Sequence, residues 1–171
     1  MSRLIVPLAL ALLFIARSPE ALGKPWREVK PLHSTAQDVA KFSRACVETE
    51  TRCQFTLEEQ EVMVIFSGTK IGLAECNRVP KLTVLAVIIR FNSPKKLKDF
   101  QLKGQPFKLL DPSSPPNHGY KTFYYVKEGF MINAYRGKAI GLVYIAEQDD
   151  MHLCPEYYED PKAFVEFGLF P

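Results

Sequence analysis

The stretch YKTFYYVKEGFMINAYRGKAIGLVYIA, Tyr120 to Ala146, decides the fold. It holds three runs rich in aromatic and aliphatic residues: Tyr120–Val126 (YKTFYYV), Phe130–Tyr135 (FMINAY) and Ala139–Ala146 (AIGLVYIA). Lys127-Glu128-Gly129 and Arg136-Gly137-Lys138 separate them, each short and each carrying a glycine. Gaps this tight can join only antiparallel neighbours, so the three runs predict a meander. Alternation along the first run places Tyr120 and Tyr124 on one face and Phe123 and Tyr125 on the other. One face must be buried, which leaves the other to show rings to solvent or to a partner.

Upstream, Leu82–Phe91 (LTVLAVIIRF) reads as the central strand. Cys53–Leu57 (CQFTL) and Glu61–Ser67 (EVMVIFS) flank Glu58-Glu59-Gln60 and predict a hairpin. Gly68–Lys81 is a polar loop carrying Cys76. Ser93–Gln105 holds the cluster Lys95, Lys96, Lys98 and Lys103 and is followed by Pro106–Leu110, and Asp111–Gly119 (DPSSPPNHG) is a proline-rich loop. Lys24–Leu32 is an extended lead-in whose tryptophan, Trp26, should pin it to the domain. Ser34 with Gln37 has capping-box spacing for a helix from Thr35 to about Arg44, burying Ala36, Val39 and Phe42. Asp160, Pro161 and Gly168 mark a short C-terminal helix that would dock Phe164, Val165 and Phe167 on the sheet. The expected fold class is α+β: a short N-terminal helix, an antiparallel sheet of five to seven strands, and a short C-terminal helix.

The chain of 171 residues is 47% hydrophobic and 24% charged, which excludes disorder as its general state. With 22 basic and 19 acidic residues, the net charge of +3 gives no reason to expect a nucleic-acid partner. The first 23 residues read as a signal peptide: Arg3 precedes the uncharged run Leu4–Ala16, and Ala21-Leu22-Gly23 has the small-x-small pattern of a cleavage site. Thirteen apolar residues span about 20 Å, short of a hydrocarbon core of about 30 Å. Lys24 follows the cut, so lipid attachment at a cysteine there is excluded. The expectation is a secreted or periplasmic protein with no membrane span after cleavage, residues 24–171 forming one domain.

Cys46, Cys53, Cys76 and Cys154 all fall in that domain, and an oxidising compartment makes two bridges the default. The short charged loop between Cys46 and Cys53 favours that pair, with Cys76–Cys154 as the second. Metal binding would need a Cys-x2-Cys spacing and neighbouring histidines, so neither a metal nor a cofactor is expected. His33, His118 and His152 stand apart in sequence, and there is no Gly-x-Ser-x-Gly or phosphate-cradling loop. Carboxylates cluster at Glu58, Glu59 and Glu61 and again at Glu147, Asp149 and Asp150, where turns and solubility explain them.

The segment PWREVKPLHSTAQDV (Pro25–Val39), followed by a cysteine pair and by Asn77-Arg78-Val79-Pro80, resembles a group of small exported bacterial proteins of acidobacterial type. The chain departs from that group at Phe42-Ser43, where the group tends to carry Leu-Gly. A looser similarity is to the small α+β proteins of outer-membrane assembly, which bind other proteins or lipid. Neither resemblance implies catalytic residues. The function expected is a non-enzymatic binding module of the envelope or extracellular space, recognising a protein there. Its candidate surface is Tyr120 and Tyr124 with Lys95, Lys96 and Lys98. The alternatives are a carrier of a small apolar ligand and a hydrolase using two of Glu58, Glu59 and Glu61.

Overall fold

The computed structural model describes residues 25–47, 51–68, 76–100, 104–110 and 119–159. The leader expected at 1–23 and the helix expected over 160–168 lie outside them. Seven strands form one antiparallel sheet: β1 (Arg52–Leu57), β2 (Gln60–Phe66), β3 (Val84–Lys96), β4 (Lys108–Leu110), β5 (Tyr120–Tyr125), β6 (Phe130–Tyr135) and β7 (Lys138–Tyr144). Their spatial order is β1-β2-β3-β7-β6-β5-β4. The meander of Tyr120 to Tyr144 is present, and β4 extends it by one strand at the edge. The centre of the sheet is therefore β7 rather than the Leu82–Phe91 run, which lies beside it in β3.

Register aligns the apolar residues in rows across the sheet. One row runs Phe55, Val62, Ile89, Leu142, Ile132, Phe123 and Leu109, one residue from each strand. The row on the opposite face runs Gln54, Met63, Ile88, Val143, Met131, Tyr124 and Lys108. Both faces are covered, so the expectation of one face open to solvent is corrected. Trp26, Val29, Ala36 and Val39 pack on the first face with Val64, Val87 and Phe130. Cys154, Tyr157 and Tyr158 pack on the second with Leu85, Ile88, Met131 and Val143. Strands buried on two faces are apolar at successive positions, which accounts for the unbroken Val84–Ile89 run.

The covering segments are short. Helix α1 (Ala36–Ala40) is one turn and a half, and a 3-10 turn follows at Arg44–Cys46. Its N-cap is Thr35 rather than Ser34: the Thr35 N–H donates to the Asp38 carboxylate at 2.7 Å. Ser34 turns inward, and its hydroxyl accepts the Lys30 N–H at 2.9 Å. Trp26 is buried, its ring centroid 5.1 Å from that of Phe42 and 6.4 Å from that of Phe55, so it does hold the lead-in against the sheet. On the other face a 3-10 stretch (Gln148–Leu153) leads into helix α2 (Pro155–Tyr158).

Two disulfides join these layers. Cys46–Cys53 ties the turn after α1 to edge strand β1, with Cα atoms 5.0 Å apart. Cys76–Cys154 ties the segment before β3 to the start of α2, with Cα atoms 5.5 Å apart. Both pairings are those favoured by the spacing. No helix among the described residues is long and apolar enough to cross a membrane.

Candidate functional site

Among the described residues, three surface features could carry chemistry. The first is a groove of about 550 Å³ lined by Glu58, Glu59, Gln60, Phe91, Asn92, Ser93 and Lys95. Its floor arises from a break in the β3–β7 ladder: Arg90 pairs with Gly141 and Lys95 with Ala139, so four residues of β3 face one of β7. Pro94 sits in that bulge, where a residue without an N–H is tolerated. Its wall is the β1–β2 turn, where Glu58 and Glu59 have φ of 48° and 60°. Lys95 Nζ lies 4.3 Å from the centroid of the Phe91 ring, a cation over an aromatic face.

The three glutamates singled out for a carboxylate pair are not brought together. Glu58 pairs with Arg27. Glu61, on the other face of β2, lies 3.4 Å from Arg90. Only Glu58 and Glu59 reach the groove, side by side in one turn rather than across a cleft, as two-carboxylate hydrolysis requires.

The second feature is a charge cluster at Lys30, His33, Glu147 and Asp150. Lys30 Nζ lies 3.0 Å from Asp150 Oδ2 and 3.4 Å from Glu147 Oε2, and His33 Nε2 lies 2.9 Å from Asp150 Oδ2. Burial pushes the Asp150 carboxyl up, but hydrogen bonds from Lys30 and His33 and their charges outweigh it, leaving it below the usual carboxylate range. The hydrogen bond to Asp150 raises Lys30 in turn, against a smaller cost of burial. The second acidic group is thus a clasp between the lead-in and the 3-10 stretch at Gln148–Leu153. His152 Nδ1 is 2.7 Å from the Asp149 carbonyl oxygen, and Cys154 beside it is committed to its bridge. Among the described residues no three His, Cys, Asp or Glu side chains converge as metal ligands. His118 lies outside the described residues.

The third feature is the β4 edge. Phe107 and Leu109 are 51% and 46% exposed, although Leu109 ends the longest apolar row of the sheet and Phe107 touches two buried or half-buried rings. Those contacts are Phe123, at 5.3 Å between ring centroids, and Tyr125, at 5.7 Å.

Of the expected surface residues, Lys95, Lys96 and Lys98 are exposed. Tyr120 is half-buried and packs on Tyr135 with ring centroids 4.5 Å apart. Tyr124 is not surface: it is 4% exposed, and its hydroxyl meets Met151 Sδ at 3.9 Å beneath the 3-10 stretch. Burial pushes its phenol up to about 12. Sequence reasoning missed Phe107 and Leu109. Their alternation in Phe107-Lys108-Leu109 was the available signal, but a three-residue strand is defined by its partner more than by its own pattern. Compared with protein-family models, with curated proteins and with solved structures, the chain matches none of them.

Proposed function

We propose that the protein is a non-enzymatic binding module of the envelope or extracellular space that takes an extended segment of a partner polypeptide along β4. The observation that carries this is the exposure of Phe107 and Leu109 at a sheet edge where, among the described residues, no strand pairs on the outer side. An added strand would supply main-chain hydrogen bonds to that edge. It would also continue the row that ends at Leu109 with a further apolar residue, the mode of recognition called β-augmentation. The two disulfides, which an oxidising compartment favours, support the location.

The test is photo-crosslinking from position 109 in the host's exported fraction, with position 127 in the β5–β6 turn as control. One discrete polypeptide, crosslinked through the same peptide each time from 109 and not from 127, is the expected outcome. Its loss on Phe107→Ser with unchanged thermal unfolding would place the contact on the apolar edge. No adduct, or the same adducts from both positions, would sink the reading.

A further inference from the structure

Six cations gather at one end of the sheet, where β3 and β6 finish and β5 and β7 begin. They are Lys95 and Lys96 on β3, Lys98 just beyond it, Lys121 on β5, Arg136 in the β6–β7 turn and Lys138 on β7. All six are exposed. Among the described residues none of them has an ion-pair partner, whereas Arg27, Lys30, Lys41, Arg78 and Arg90 elsewhere each pair with a carboxylate.

The arrangement costs the free protein stability. Lys96 and Lys138 are direct partners across the β3–β7 ladder, and like charges in that relation repel. Lys95 and Lys121 terminate a row that crosses Ala139 and Ala134, three strand spacings or about 14–15 Å. Successive strand residues point to opposite faces, so Lys95 and Lys121 border one face of the sheet, where Lys95 stands over Phe91, and Lys96 and Lys138 share the other face with Tyr135 and Tyr120. On that second face the Arg136 guanidinium carbon lies 5.1 Å from the centroid of Tyr135, and Tyr135 packs on Tyr120. Paired strands fix the positions of Lys96, Lys138 and the two tyrosines relative to one another.

We infer that this end of the sheet binds a linear acidic polysaccharide, its carboxylate or sulfate groups meeting Lys96, Arg136 and Lys138 and its sugar rings meeting Tyr120 and Tyr135 on the same face. A bilayer is the less fitting anionic surface, because insertion needs exposed apolar side chains. Among the described residues, Val47, Phe107 and Leu109 are the exposed large apolar ones, and none is on β3, β6 or β7 at this end. The site is separate from the β4 edge and stands whether or not a polypeptide binds there.

The test is a fluorescence-anisotropy titration of a fluorescein-labelled heparin dodecasaccharide with the protein, repeated over a range of salt. Neutral dextran and phosphatidylglycerol vesicles are the comparison probes. Saturable binding that falls with salt is expected for heparin. Lys96→Gln/Lys138→Gln should reduce the slope of log affinity against log salt by about 2, since each lysine removed releases about one counterion fewer, and weaken binding at least roughly tenfold. The same variant should melt at an unchanged or higher temperature, because the repulsion between the two lysines is gone. Lys127→Gln, at the other end of the sheet, should bind as the wild type does. An unchanged affinity and slope in the double variant would overturn the inference. So would equal binding to neutral dextran, or capture by the vesicles without binding to heparin.

Discussion

Arg27 and Glu58 occupy the same place in two separate tight turns, with φ of 47° and 48°, and their side chains pair with each other. Each turn has a second residue of positive φ, Glu28 at 72° and Glu59 at 60°. The first turn closes the Trp26–Val29 bridge, and the second joins β1 to β2. Two-residue hairpins need this left-handed backbone to match the strand twist, and asparagine and glycine supply it at least cost. Here both turns use charged residues instead, and the ion pair links them at the surface.

Relieving that backbone should stabilise the fold. Glu59→Gly removes a side chain from a left-handed position, worth about 1 kcal/mol, and should raise the melting temperature by about 3–5 °C in calorimetry. Glu58→Gln, which removes the carboxylate that pairs with Arg27 at the surface, should change stability by less than about 1 kcal/mol.

Gly141 is required for a different reason. Its φ is unremarkable, but a Cβ there would lie 2.5 Å from the Ile89 carbonyl oxygen. Gly141→Ala should therefore cost about 2–3 kcal/mol in urea unfolding by forcing β3 and β7 apart beside the bulge. A loss below about 0.5 kcal/mol would mean that the two strands give way easily.

The two bridges should differ in weight. By loop-closure entropy the Cys46–Cys53 bridge contributes about 2.5 kcal/mol and Cys76–Cys154 about 4.5 kcal/mol. Paired serine replacements compared by denaturant unfolding should preserve that order.

Stability should fall at both ends of the pH scale. Burial raises Tyr124 to about 12 and also raises Tyr125, Tyr157 and Tyr158. These phenols keep their protons in the fold after the unfolded chain has lost its own. Their stabilisation is thus complete below about pH 10 and disappears as pH rises toward the folded values. Tyr124→Phe should make the alkaline loss shallower. Asp150 is shifted the other way, so its contribution is present above about pH 4 and is lost as pH falls through its lower folded value. Asp150→Asn should flatten the acid limb of stability measured by urea midpoints.

The meander, the hairpin, the pinning tryptophan and both bridges were legible because each is written in local pattern or spacing. What was not legible depended on distant partners. Lys95 and Lys96 read as loop because Asn92-Ser93-Pro94 interrupts the run, yet pairing with Ala139 and Lys138 returns them to β3. Lys108–Leu110 became a strand only through Thr122–Tyr124. Alternation assigned Tyr120 and Tyr124 correctly to one face, but it could not show that the chain after Ala146 folds back over Tyr124. There the Tyr158 hydroxyl donates to the Leu85 carbonyl at 2.9 Å, joining that return to the sheet.

The order in which β3 meets its neighbours bears on how the chain must be made. Val87 pairs with Tyr144 and Lys96 with Lys138, so one side of the most apolar strand waits for a segment that leaves the ribosome much later. Until β7 arrives, Val84–Ile89 is an open edge, the kind of surface through which nascent chains stick to one another. Contacts this distant in sequence also make for slow folding. Delivery in an unfolded state, followed by folding with all strands present at once, would avoid that exposure.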